Sequence, residues 1–166
     1  MNCVLLDKNR HNRAAFDCGV PELNNYLQLM AHQHATRNNT RTFVLEDATS
    51  PSTIKAFYTL TMCTMDLSAL PQALQKKHAH CDSAGLIARL AVDKHYTGQR
   101  LGEWMLLDAL FKLLQASDMV GFPLVVVDAK QGAKSFYTKY GFREFHHLPN
   151  KLFLTMADIR ENIGTV

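Results

Sequence analysis

The chain has 166 residues, 47% of them hydrophobic, and a formal net charge of +3. That length suits one domain, residues 1–166, with a full core and no second domain, and so small a charge excludes a nucleic-acid binder recruited by net charge alone. No stretch approaches the roughly 18 consecutive apolar residues that span a bilayer, and Met1-Asn2-Cys3-Val4-Leu5-Leu6-Asp7 lacks the basic opening and cleavage site of a signal peptide, so a cytoplasmic protein without a membrane partner is expected.

Residues 4–6 read as a short first strand. Pro21 opens a helical pattern in which Leu23, Tyr26, Leu27, Met30 and Ala31 recur at three- and four-residue spacing, continuing to about Thr36. Residues 37–40 break the pattern, and a strand follows over 42–46. Residues 47–53, with Pro51 and two serines, form a turn, and 54–66 is the hairpin partner of the preceding strand. Residues 68–80 are a helical excursion before a strand over 84–92. A helix from Leu101 to about Ala116 carries Leu101, Met105, Leu106, Ala109, Leu110, Leu113 and Leu114 on one broad face, which should pack on the sheet. The last third alternates: strand 123–128, helix 132–140, strands 142–145 and 152–155, then a short tail over 157–166 that is helical or disordered. The class is α/β, without repeat or linker.

Cys3, Cys18, Cys63 and Cys81 are widely spaced and form no CxxC pair, so they read as reduced packing residues. His32 with His34, and His78 with His80 and Cys81, present no complete tetrahedral ligand set, so no metal is expected. Basic residues cluster at Lys8, Arg10, His11 and Arg13, at Arg37 and Arg41, and at Lys76, Lys77, His78 and His80. Gathered on one face they would follow a phosphate backbone; dispersed, they are solvated surface.

The most telling stretch is Ile87-Ala88-Arg89-Leu90-Ala91-Val92-Asp93, followed by Thr97-Gly98-Gln99-Arg100-Leu101-Gly102 and the apolar run from Trp104. Strand, glycine-bearing loop and helix start in this order offer backbone N–H groups to a phosphate, although the same junction serves any tight turn. Downstream, Leu124-Val125-Val126-Val127-Asp128 reads as a buried strand, and Ala133-Lys134-Ser135-Phe136-Tyr137-Thr138-Lys139-Tyr140-Gly141 as a helix closed by glycine.

These blocks resemble the GNAT acyl-CoA N-acyltransferases. With Phe16-Asp17-Cys18-Gly19-Val20-Pro21-Glu22-Leu23-Asn24-Asn25-Tyr26-Leu27, Arg41-Thr42-Phe43-Val44-Leu45 and Arg89-Leu90-Ala91-Val92-Asp93, nearly the whole chain looks like the toxin branch of that family found in type II toxin–antitoxin systems. The resemblance implies a GNAT fold: a central mixed, mostly antiparallel sheet flanked by helices, with splayed strands at the acetyl-CoA site. It implies acetylation of the α-amino group of aminoacyl-tRNA, a ribbon-helix-helix antitoxin as partner, and a homodimer.

By the same resemblance, the backbone of Leu90, Ala91 and Val92 pairs with the pantetheine arm of acetyl-CoA. Thr97, Gly98, Gln99, Arg100, Leu101 and Gly102 hold its pyrophosphate, and Ala133 and Phe136 belong to the cofactor side of the later helix. Thr97 stands where the family has Gln or Arg, Arg100 where it has its first glycine, and Lys130 where many relatives have Asn. A side chain at Arg100 restricts backbone approach to phosphate, while its guanidinium returns electrostatic attraction. Tyr137 matches the tyrosine that protonates the departing thiolate, with Tyr140 as runner-up. A phenol near pKa 10 keeps its proton at neutral pH, though either ring also fits as a packing residue.

No general base emerges, because Asp93, Asp128 and His95 have no special spacing. An aminoacyl α-amino group, titrating at about 7.7–8.0 or below, is already partly neutral and needs little help. Arg89 faces an acceptor groove or acidic partner, or makes a structural pair. The alternatives are a GNAT enzyme acting on a small amine or protein N-terminus, and a degenerate, non-catalytic CoA-binding protein, which the departures at Thr97 and Arg100 favour.

Overall fold

The computed structural model describes residues 3–130 and 132–163. Strands β1 (Cys3–Leu5), β2 (Arg41–Asp47), β3 (Ser50–Thr64), β4 (Ser83–Val92), β5 (Leu124–Asp128), β6 (Arg143–Phe145) and β7 (Leu148–Thr155) form one sheet in the order β1-β2-β3-β4-β5-β7-β6. β4 and β5 run parallel, whereas β1 with β2, β2 with β3, β5 with β7 and β6 with β7 are antiparallel. The helices are α1 (Pro21–Asn25), α2 (Ala31–Thr36), α3 (Gln72–Lys77), α4 (Leu101–Val120), α5 (Lys134–Lys139) and α6 (Met156–Ile163). This is the mixed, mostly antiparallel sheet with helices that the sequence implied. None of the described helices is long and apolar enough to cross a membrane.

The chain divides into two compact units, Met1–Thr61 with Ala88–Ala109, and Met62–Ile87 with Leu110–Val166. In the first, the pattern expected over 21–36 is helical throughout, but a π turn at Tyr26–Met30 separates α1 from α2. Tyr26, Leu27 and Ala31 of its apolar stripe are buried with Phe16, Val44, Ile54, Phe57 and Ala91, and Leu23 packs against them, whereas Met30, expected on the same face, is exposed. The hairpin turn is tighter than the expected 47–53. Asp47 Oδ1 accepts the Thr49 N–H at 2.9 Å and its hydroxyl at 2.8 Å, and this Asx turn lets Asp47 pair with Ser50, so that Pro51 falls within β3.

In the second unit, the expected helix over 68–80 is interrupted. A 3-10 turn at Leu67–Ala69 is capped by the Asp66 carboxylate, and α3 starts only after Pro71, which has no N–H to continue a helix. α4 outruns its expected end at Ala116, reaching Val120 and closing on Gly121 at φ +69°. α5 is shorter than residues 132–140, because Ala133 and Tyr140 are its caps. The tail folds as α6: Thr155 Oγ1 accepts the Asp158 N–H at 3.1 Å and Ile159 is 1% exposed; residues 164–166 lie outside the described residues. Leu70, Ala84, Leu124, Val126, Phe145 and Phe153 form this unit's core.

Candidate functional site

The parallel register of β4 with β5 runs from Gly85↔Val125 to Ile87↔Val127, while β4 continues to Val92. Beyond Ile87 come Leu90, Ala91 and Val92. Ala91 is 6% exposed and packs with Phe16, Tyr26 and Leu27, whereas Leu90 and Val92 are half-buried. Alternating side chains anchor this stretch of strand in the core of the first unit.

After β4 the chain makes a 3-10 turn at Lys94–Tyr96 and enters the loop. Thr97, Gly98, Gln99 and Arg100 are exposed, Leu101 is buried and Gly102 half-buried. Gly98 has φ +78° and Arg100 φ +59°. Arg100 therefore takes the left-handed conformation that the family's glycine would take without strain, so the loop keeps its turn at a cost of about 1–2 kcal/mol. Its Nε donates to Glu103 Oε2 at 3.0 Å, which ties the side chain to the first turn of α4. The Trp104 N–H reaches the Arg100 carbonyl at 3.2 Å. The N–H groups of Leu101, Gly102 and Glu103 are then the open donors of a 20-residue helix, which suits a phosphate.

Asp93, 4% exposed, fixes the start of this loop. It accepts the Asp17 N–H at 3.0 Å, the His95 N–H at 2.9 Å and the His95 ring at 2.8 Å. Burial pushes its carboxyl up, but these donors outweigh that and hold it below the usual range. The Lys94 N–H donates to the Asp17 carbonyl at 2.8 Å, and its ammonium lies 2.9 Å from Asp17 Oδ2. Asp17 also accepts from the Gly19 N–H and the Asn24 amide, and with Lys94 these hold it far below the ordinary carboxylate value. Asp93 and His95 thus have a structural task at the start of the loop. An Asp one residue before a short turn is an ordinary N-cap signal that the sequence already carried.

Arg89 makes the structural pair. Its guanidinium lies 3.5 Å from the centroid of the Tyr26 ring, and the Tyr26 hydroxyl meets His34 Nδ1 at 3.3 Å and Thr40 at 3.4 Å. The N-terminal block and the Arg89–Asp93 string, distant in sequence, are therefore bonded to each other.

In the second unit, Ala133 caps α5 and Phe136 is half-buried, its ring edge-on to Tyr137 at 5.1 Å and to Tyr140 at 5.4 Å. Phe142 flanks Tyr137 on another side at 5.4 Å. Tyr137 is 8% exposed, and burial pushes its phenol up to about 12. Among the described residues no buried side-chain polar atom lacks a partner and none bonds to the Tyr137 hydroxyl, so the oxygen is the accessible tip of a buried ring. Tyr140 is half-buried, with Lys139 Nζ 5.6 Å from its ring centroid.

Part of the basic character is neutralised locally. Arg10 and the buried His11 both bond to Glu46 at 2.8 Å, and Arg41 donates to the Ala35 and Thr40 carbonyls. His11 Nδ1 accepts the Asp7 N–H at 2.9 Å, so it is a core residue and not the surface charge its neighbours in sequence implied. Among the described residues, none of the four cysteines is joined in a disulfide.

A model of the acetyltransferase (GNAT) domain matches residues 70–144. The chain is 28% identical over 169 residues to the probable toxin TacT of Sinorhizobium fredii, covering 96% of this chain and 93% of that protein. It is 29% identical over 151 residues to the tRNA-acetylating toxin of Mycobacterium tuberculosis, covering 90% and 89%. Among solved structures it is similar to AtaT complexed with acetyl-methionyl-tRNAfMet, with a TM-score of 0.88 at 25% identity over 98% of both chains. A mutant AtaT bound to the C-terminus of the antitoxin AtaR and acetyl-CoA gives 0.82 at 23% identity, over 98% and 97%.

Proposed function

We propose that this chain, which has the GNAT fold and carries a GNAT acetyltransferase domain, is a toxin that uses acetyl-CoA to acetylate the α-amino group of aminoacyl-tRNA and so blocks translation. Its support is likeness over nearly the whole chain to a tRNA-acetylating toxin, joined to one observation: Tyr137 is a buried ring with an accessible hydroxyl. It acts in the cytoplasm, where charged tRNA is found, as a homodimer restrained by a ribbon-helix-helix antitoxin. All 166 residues serve as one acetyltransferase domain, with β3, β4 and α4 each running through both units.

Acetyl-CoA supplies an activated acyl group; attack by the neutral α-amine forms the amide and releases CoA thiolate, and the proton lost by the amine ends on sulfur. The backbone of Leu90, Ala91 and Val92 orients the donor arm. The loop from Thr97 to Gly102 and the open N–H groups of α4 hold its phosphates. Ala133 and Phe136 place α5 so that Tyr137 meets the sulfur. A thiolate whose thiol titrates near 8.5 is a weaker base, by roughly three to four pKa units, than a phenolate whose phenol is held at about 12. Tyr137 therefore acts first as a hydrogen-bond donor to the developing thiolate, and passes its proton on as the amine's proton replaces it. No protein base is needed for an α-amine.

The pairing of Arg10, His11 and Arg41 within the protein favours, as second reading, a GNAT enzyme for a small amine or protein N-terminus. Labelled acetyl-CoA, offered with total charged tRNA, deacylated tRNA, polyamines and peptides, separates the two. Label in N-acetyl amino acids released from charged tRNA is expected; label only in polyamines or peptides overturns the proposal.

A further inference from the structure

The first unit holds an open groove of about 360 Å³ between α2 and the outer edge of the sheet. α2 contributes Ala31, His32, Ala35 and Thr36, the β1 segment Leu5 and Leu6, and β2 Arg41 and Thr42. The surface is mostly apolar, and among the described residues no acidic side chain lines it. Ala31 and Ala35 lie one turn apart, and their small side chains leave the space that larger ones would fill. The volume falls within the roughly 300–1,000 Å³ of ligand sites.

Two features of the groove define what fits it. The first is an open strand edge. β1 is the outermost strand of the sheet, and the Leu6 N–H donates to the Thr42 carbonyl at 2.9 Å. Bonded positions alternate along an antiparallel pair, so Leu5, opposite Phe43, turns its N–H and C=O away from β2. An edge of this kind takes on another extended chain.

The second feature is a fixed cation. Arg41 donates to the Ala35 carbonyl at 3.2 Å, to the Thr40 carbonyl at 3.0 Å and to the Asn38 side-chain oxygen. Asn38 is held at φ +60°, a left-handed conformation that Asn tolerates better than most residues. All three acceptors are uncharged, and among the described residues no carboxylate pairs with Arg41, so its guanidinium is set in place with donors to spare. Such a group suits a carboxylate. A phosphate backbone is followed by several cations on an open surface; one guanidinium beside apolar walls and a strand edge favours a peptide.

We propose that this groove docks an extended acidic peptide segment of a partner protein. The segment adds to β1 at Leu5 as a further strand, seats a small apolar side chain against Ala31 and Ala35, and sets a carboxylate against Arg41.

The test titrates the full chain into four fluorescein-labelled octapeptides that alternate glutamate with alanine, valine, leucine or threonine, and into their lysine counterparts, and reads anisotropy. At least one glutamate peptide should bind saturably, at least tenfold more tightly than its lysine counterpart. Ala35→Met, which fills the groove, should weaken that binding at least tenfold. Leu5→Pro, which removes the outward N–H at an edge position that tolerates proline, should weaken it at least fivefold, whereas Leu5→Ala, which keeps the N–H, should not. Melting curves confirm that each variant is folded. No saturable binding of any glutamate peptide, or equal binding by the parent and both folded variants, overturns the proposal. Loss of charged-tRNA binding in Ala35→Met, with no peptide bound by the parent, would give the groove to nucleic acid and overturns it as well. Acetyl transfer to charged tRNA is not read in this test, so its outcome leaves the function proposed above to stand or fall separately.

Discussion

The Asp93 carboxylate, just beyond β4, accepts the Asp17 N–H at 3.0 Å and so fastens the loop ahead of α4 to the N-terminal segment. Removing it in Asp93→Ala leaves the part-buried N–H donors of Asp17 and His95 without their acceptor, at a cost of about 1–2 kcal/mol. Because the folded pKa values of Asp93, Asp17 and Asp47 are depressed, with Asp47 at about 2, their stabilisation is complete above the unfolded value near 4 and is lost as pH falls toward 2. Urea midpoints between pH 2.5 and 6 should therefore drop on the acid side, less steeply in Asp93→Asn. A midpoint that rises on acidification contradicts this.

Arg100 occupies a glycine conformation at φ +59°. Arg100→Gly removes that strain and forfeits an exposed pair with Glu103 and some unfolded-state order, for a net gain of up to about 1 kcal/mol. Thermal unfolding reads the difference, and a clear loss of stability would show that the left-handed turn is unstrained.

The fold was legible where one apolar period ran unbroken, as in α4 and β5, and where glycine marked a stop. It was misread where a single side chain sets the geometry. Asp47 shortens the hairpin turn, and Pro71 splits a helix that periodicity alone extends; the tail, read as helical or disordered, is helical as α6 with Ile159 buried. Of the candidate site, the strand, loop and tyrosine singled out from the sequence are contiguous motifs, and they fall on β4, ahead of α4 and on α5. The bonds from Asp17 to Asp93 and from Tyr26 to Arg89 were not, since periodicity carries no information about which distant segments meet.

Arg89 stacks on Tyr26 with its guanidinium 3.5 Å from the ring centroid. Arg89→Ala should cost about 1–2 kcal/mol, and Arg89→Lys should recover only part of it, because an ammonium lacks the planar face. Chemical denaturation distinguishes them; equal stability of Arg89→Lys and the parent would make charge alone sufficient.

Gly85 is there for space: φ is ordinary, but an added Cβ would meet Phe122 at 2.8 Å. Gly85→Ala should destabilise by about 1–3 kcal/mol through overpacking between β4 and Phe122. Gly85→Ala combined with Phe122→Leu should recover part of the loss, measured by thermal melts. No recovery would place the strain elsewhere.

The central claim is that the Tyr137 hydroxyl serves the departing thiolate while charged tRNA supplies the amine. Single-turnover transfer of labelled acetyl to charged tRNA, with the parent, Tyr137→Phe and Tyr140→Phe compared at saturating acetyl-CoA, tests it most directly. A loss of about 10²–10⁴ in Tyr137→Phe, with unchanged melting and less than a tenfold loss in Tyr140→Phe, is the predicted result. Transfer by Tyr137→Phe at the parent's rate would contradict it.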